Sequence, residues 1–283
     1  MTYTLTDLVT PDAGIYAIPE IYHLLHAKLG DPYASNAQLA DIIQRDPGLT
    51  LTVLKIANSA FYGFPAAIAT VSQAVALLGR KELAVLVLSA STVKIFNALP
   101  IDGKVLRAHW AHSLLCGLVA KHWAARLQIG EPERFFVAGL LHDTGRLVLW
   151  HRCPELSRQV LMALQTGAVD DVTAEREVFG WTHAEVGAAL MRAWHVPPLL
   201  IATTQWHHDP SQAGEFESIC QIVQIANTLA HDTTLLTLDD ALWQRLTAYP
   251  YWSPRYGDFA TVAQLYETAS QQMREMIGMF CDH

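Results

Sequence analysis

Apolar residues recur along this chain at the three-to-four-residue spacing of a helix face almost from end to end, and stretches that alternate polar and apolar residues are scarce. The pattern predicts an all-α protein. SNAQLADIIQRDPG reads as a helix capped by Ser35 and ending near Asp46 and Pro47, and Pro47 can open a second helix through LTLTVLKIAN. Gly63 and Pro65 interrupt the pattern, Thr70 caps another helix, Gly79 ends it, and a long apolar helix follows from about Arg80 to Asn97. The polar turn residues of LPIDGK (99–104) mark the best internal boundary. Helices are predicted beyond it near 105–127, 133–151, 155–166, 183–194, 197–207 and 217–231, with a C-terminal pair near 238–248 and 259–280. DDVTAEREVFGW (170–181) reads as a partly helical linker and YPYWSPRYGD (249–258) as a Pro- and aromatic-rich loop. The division expected is an N-terminal lobe (1–100), a helical core (101–232) and a C-terminal helical extension (233–283).

Composition narrows the possibilities. A 283-residue chain that is 51% hydrophobic has material for a large core, and 16% charged residues with no low-complexity segment argue against long disordered tails. The net charge of -8, with Arg80-Lys81 the longest basic run, excludes the clustered positive stripe of a nucleic-acid groove. Cys116, Cys153, Cys220 and Cys281 are far apart and form no CxxC pair, as expected of reduced thiols in the cytosol. The start, MTYTLTDLVTPD, has no signal-peptide pattern, and the longest apolar run, LAVLVLSASTV (83–93), is too short for a bilayer and carries hydroxyls. A soluble, cytoplasmic protein without an organic cofactor is expected.

LLHDTGRLVLW (140–150) places His142 and Asp143 side by side in a stretch that otherwise reads as buried helix, where each costs free energy unless something pairs with it. Among the 13 histidines, His112, His183, His207 and His208 also fall where separate helices can bring them together. Imidazoles with one carboxylate suit Zn, Fe, Mn, Ni or Co better than Mg alone. Adjacent helical residues point about 100° apart, so His142 and Asp143 share an ion only if both lean toward one pocket. Two ions bridged by such a carboxylate would activate water for attack on phosphorus. A single histidine on an apolar face is more often a hydrogen-bonded core residue, and His23, His26, His109, His122, His151, His195 and His231 are assigned to that role.

From about residue 18 to 230 the chain resembles the HDOD family, the signalling relatives of the HD-domain metal-dependent phosphohydrolases. The resemblance lies in DPGLTLTVLKIANSAFYGFPAAIATVSQAVALLGRKEL, HSLLCGLVAKHWA, FFVAGLLHDTGRLVL, the ERE of 175–177, THAEVGAALMRAWHVPP and the paired histidines of QWHHDP. It implies an N-terminal helical lobe packed on an HD-like helical core. It implies also that His112, His142 and Asp143 stand at the positions of HD metal ligands, with Asn227 where the catalytic pattern has Asp. His183, His207 and His208 match the second-ion ligands of the HD-GYP relatives, and Arg146 replaces their Lys. No Gly-Tyr-Pro follows QWHHDP, so the loop expected to grip a cyclic dinucleotide is missing. The resemblance thus implies a signal-transduction output protein holding one or two divalent ions (Fe, Mn, Ni, Zn or Mg) weakly or without catalysis. Its expected partner is a signalling protein or a small phosphate-containing ligand, with no direct nucleic-acid or membrane contact. The competing expectation is a phosphohydrolase acting on a nucleotide or phosphomonoester, with Asp143 and Arg146 as catalytic residues. A helical scaffold in which the histidines only pack is the third.

Overall fold

A computed structural model describes residues 4–9, 16, 18, 20–59, 62–165, 167, 169–231 and 237–281, except for the Lys81 side chain. The expected boundary between 232 and 233 lies outside them. No strand occurs among the described residues, and the all-α reading holds.

The first six helices are α1 (Leu5–Val9), α2 (Glu20–Leu29), α3 (Asn36–Gln44), α4 (Pro47–Ala57), α5 (Val71–Leu78) and α6 (Arg80–Asn97). Their ends follow the local chemistry. Ser35 and Thr70 each make a reciprocal capping box with the glutamine three residues on, and Asp46 caps α4 ahead of Pro47. Gly79 adopts φ +83°, a left-handed conformation that only glycine takes cheaply, so the chain can leave α5 and enter α6 at once.

The next block comprises α7 (Gly103–Leu127), α8 (Pro132–Leu141), α9 (Thr144–Arg152), α10 (Pro154–Gln165), α11 (Asp171–Phe179), α12 (His183–Ala193), α13 (Pro198–Trp206) and α14 (Glu217–Ala230). Then come α15 (Asp240–Thr247) and the long α16 (Phe259–Cys281), which packs along α7. One continuous cluster of buried apolar side chains runs from Leu8 to Phe280.

One element differs from expectation in a way that matters. The stretch 133–151 is not a single helix but two, α8 and α9, broken at His142 and Asp143. Thr144 Oγ1 donates to the carbonyl of Leu141 (2.9 Å), and Arg146 N–H donates to that of Asp143 (2.9 Å), which closes a turn in place of helical continuation. The break frees both side chains from the fixed angular offset of consecutive helical residues.

Two pairs of glycines set how closely the core helices approach. A Cβ on Gly117 of α7 would lie 2.5 Å from the carbonyl oxygen of Phe136, and one on Gly139 of α8 would lie 2.7 Å from Gly117. A Cβ on Gly145 of α9 would lie 1.9 Å from the carbonyl oxygen of His183, and one on Gly187 of α12 would lie 2.7 Å from the Thr204 methyl. Backbones therefore touch at α7/α8 and α9/α12, the two crossings that carry the candidate chemistry.

Candidate metal centre

His112 projects from the middle of α7, His142 and Asp143 from the α8–α9 break, His183 from the first turn of α12, and His207 and His208 from the end of α13. These elements bring all six predicted residues together. His142, His183 and His207 are fully buried and Asp143 is nearly so. Two groups have ligand atoms close enough to share an ion: His112 with His142 and Asp143, and His183 with His207 and His208.

Asp143 lies between them. Its Oδ1 stands 3.1 Å from Nε2 of His183 and 3.5 Å from Nε2 of both His142 and His207, while Oδ2 is 3.6 Å from Nε2 of His112. The imidazoles also crowd one another: Nε2 of His112 and His142 are 3.4 Å apart, those of His183 and His207 3.2 Å, and those of His208 and His183 3.0 Å. With ligand bonds of about 2.1 Å, the edge of a tetrahedral coordination shell is about 3.4 Å and of an octahedral one about 3.0 Å. The observed spacings bracket those edges.

The outer nitrogens fix the tautomers. Nδ1–H of His112 donates to the Ala230 carbonyl (2.9 Å), that of His142 to Gly139 (2.7 Å), that of His207 to Thr204 (3.0 Å), and that of His183 to the Glu175 carboxylate (2.6 Å). An Nδ1 that donates outward leaves the Nε2 lone pair of the neutral ring pointing inward, which is how metal-binding histidines are held.

Asp143 Oδ1 is buried without a hydrogen-bond partner, although three Nε2 atoms surround it. Such an orphan is costly, and lone pairs converging at 3.0–3.4 Å repel unless a cation lies among them. The donor set thus fits a divalent transition metal with nitrogen and carboxylate ligands.

Arg146 organises the charge behind Asp143. Its Nε donates to Asp143 Oδ2 (2.9 Å), one terminal nitrogen to Asp171 (2.6 Å) and the other to Glu175 (3.2 Å). Glu175 in turn accepts from the His183 backbone N–H (2.7 Å) as well as from its ring. A closed circuit therefore joins Asp143, Arg146, Glu175 and His183. Three carboxylates against one guanidinium leave a local charge of −2 when the imidazoles are neutral.

That charge shapes the titrations. Burial drives His142 well below its ordinary pKa, and burial likewise lowers His112, His207 and His208. Burial and Arg146 also oppose charge on His183, but Glu175 and Asp143 prevail and raise it to about 9. Burial would raise Asp143, yet Arg146, His142 and His183 hold it well below the carboxylate range. In the metal-free protein a proton on His183 supplies the positive charge that the cluster lacks, so proton and metal compete there.

Asn227 is half-buried on α14, one turn before Ala230, and its side chain makes no hydrogen bond among the described residues. Of the remaining histidines, His109 is buried 3.5 Å from Ser113, His122 pairs with Gln272 (2.8 Å) and His151 with Tyr16 (2.5 Å), as expected of packing histidines. Glu175 and Asp171 were not anticipated. Glu175 sits in the ERE run and is the one buried carboxylate of α11, which nothing in the local sequence marks. The main-chain carbonyls that orient His112, His142 and His207 have no sequence signal at all.

An all-helical core with a His-Asp pair at a helix break and further histidines around it defines the wider class, helical proteins with a histidine- and aspartate-lined candidate metal centre. The HDOD domain family matches residues 15–210, and the chain belongs to the HDOD family. The structure of an HDOD domain protein of unknown function from Geobacter sulfurreducens is similar at 28% identity, covering 93% of this chain and 92% of that one, with TM-score 0.74. A Shewanella amazonensis SB2B protein, provisionally named a phosphohydrolase, shares the fold at 22% identity, covering 95% and 97%, with TM-score 0.76. A Treponema pallidum protein is 27% identical over 198 residues, which are 68% of this chain, and the match spans 38% of that relative's length. No helix among the described residues is long and apolar enough to cross a membrane.

Proposed function

We propose that this chain is a signal-transduction output protein whose HD-like site holds divalent metal for structure or sensing rather than for turnover. His112, His142 and Asp143 would hold one ion and His183, His207 and His208 a second. The N-terminal lobe (1–100) would present the surface read by a signalling protein, in the cytoplasm. The observation that carries the reading is the commitment of Arg146: all three of its nitrogens donate to carboxylates, whose combined charge outweighs its own, so the two N–H groups left over belong to a guanidinium already neutralised and held in place. Asn227 in place of a carboxylate and the missing Gly-Tyr-Pro point the same way. The protein loaded with Mn²⁺, Fe²⁺ or Ni²⁺ and assayed on a panel of nucleotides and phosphomonoesters is expected to show no turnover. A rate on the order of 1 s⁻¹ or faster would overturn the assignment.

The position of Asp143 favours a second reading, a metal-dependent phosphohydrolase. The Asp143 carboxylate lies within 3.6 Å of an Nε2 from each group, Oδ1 between His142 and the His183–His207 pair and Oδ2 beside His112, so one carboxylate stands where it can serve ions on both sides. Bound divalent metal would supply Lewis-acid polarisation of a phosphoryl oxygen. In this reading Asp143 sets the spacing of the two groups, Glu175 keeps His183 oriented, and Arg146 must release Asp171 or Glu175 to reach substrate. Activity that survives in wild type and disappears in His142→Ala, with melting temperature unchanged, would establish it.

A further inference from the structure

Of the imidazoles in the candidate metal centre, His208 is placed unlike the rest. It lies beyond the end of α13, in the bend before Asp209, and is half-buried where His142, His183 and His207 are fully buried. His112, His142, His183 and His207 each bring Nε2 within 3.6 Å of an Asp143 oxygen. His208 makes no such contact among the described residues; its Nε2 meets Nε2 of His183 (3.0 Å), and the His207 ring lies beside it at 4.1 Å between centroids. The outer nitrogen differs most. The other four rings donate Nδ1–H to Ala230, Gly139, Glu175 and Thr204. Nδ1 of His208 meets no donor or acceptor among the described residues and is not enclosed, so solvent reaches it. What the protein holds is the main chain of His208, whose carbonyl accepts from Gln224 Nε2 of α14 (3.1 Å). An imidazole backed by a partner is oriented and made more basic; one without a partner keeps its freedom to rotate and binds a cation more weakly.

We propose that His208 is a displaceable ligand: the second ion is anchored by His183 and His207, and a small anion arriving from solvent takes the coordination position that the His208 ring yields. A lone pair of the anion replaces that of Nε2 at the ion, and no covalent bond of the protein changes. Charge sets the sign of the incoming ligand. Asp143, Asp171 and Glu175 against Arg146 leave −2, and two divalent ions turn this to +2, an excess that a buried site relieves by taking an anion. The inference rests on the reading of the centre as a two-ion site and gives that site an exchangeable position.

The full chain is loaded with Co²⁺, whose visible bands report its ligands, and wild type, His208→Ala and His207→Ala are compared by elemental analysis and by titration with sodium azide as the anion. His208→Ala is expected to keep the second ion with an affinity loss within about tenfold, and His207→Ala to lose about 100-fold or more. Azide should shift the wild-type bands saturably and bind His208→Ala about tenfold more tightly, because no ring competes for the position. His208→Asn replaces the alanine variant if circular dichroism shows that the latter does not fold. Fewer than two Co²⁺ bound by folded wild type would overturn the two-ion reading and this inference together. With two ions bound, azide affinity unchanged or weaker in the His208 variant, or loss of the second ion as complete as in His207→Ala, would overturn the inference alone.

Discussion

The two halves of the histidine cluster are built from similar ligands but backed differently. His112 and His142 donate their outer N–H to main-chain carbonyls, which are neutral and held by helix geometry. His183 donates to Glu175, a buried carboxylate that is itself held by Arg146 and closes a charged circuit back to Asp143. A carboxylate behind an imidazole makes it a stronger donor to metal than a carbonyl does. The first half depends on Asp143 for its only carboxylate, and the α14 residue at the position where the resemblance expects a further ligand is an amide, Asn227. The comparison teaches that the position expected to be the second-ion site has the stronger electrostatic support, and should fill first.

Asp143→Asn is the largest test, because it removes the one carboxylate common to both halves. Metal content by elemental analysis should fall at both, with an affinity loss exceeding the roughly 10–100-fold typical of outer-sphere changes. Loss from one half alone would break the picture of a shared oxygen pair.

Gly145→Ala comes next. Its Cβ would lie 1.9 Å from the His183 carbonyl oxygen and 2.6 Å from the Gly187 nitrogen, both backbone atoms, so α9 and α12 must part. A cost of about 3 kcal/mol in urea unfolding is expected, with weakened binding confined to the His183 half. Glu175→Gln keeps the shape and removes the charge; calorimetric titration with Ni²⁺ should show the tighter site weakened about 10–100-fold and the weaker one little changed. Asn227→Asp runs the opposite way and should tighten the His112 half by about tenfold through the added charge.

The smallest effect comes from Glu82, whose Oε2 is buried without a hydrogen-bond partner. Its folded pKa, near 7 against an ordinary 4.5, means that the ionised carboxylate costs stability once pH rises above the ordinary value, and fully above 7. Glu82→Gln should therefore raise the melting temperature by about 2 °C at pH 8 and leave it unchanged at pH 4.

Much of this was legible in the sequence, and the reasons are local. Ser35, Asp46–Pro47, Thr70 and Gly79 announce helix ends through hydrogen bonds made within four residues, and the structure places those ends where the residues predict. The residues that could gather at a metal were visible as candidates, but His112 and His183, flanked by small and apolar residues at core-like spacing, were set apart from packing histidines only by the family resemblance. The break between α8 and α9 was not: FFVAGLLHDTGRLVLW keeps helical spacing across it, and the hydroxyl of Thr144 that closes the turn looks like any mid-helix threonine. Glu175 and Asp171 reach the site because α11 packs near α9, a long-range fact with no short-range signature.

Two of the ligands sit at the C-terminal ends of helices. α8 and α13 each end on a ligand, His142 and His207, after roughly 14–15 Å of helix. The α8 rod is held by Gly139 against Gly117, backbone to backbone, so the imidazole at its end is fixed as firmly as that crossing. Thermodynamic reciprocity then runs both ways: whatever an ion gains from a crossing already held in place, the crossing gains in stability from the ion.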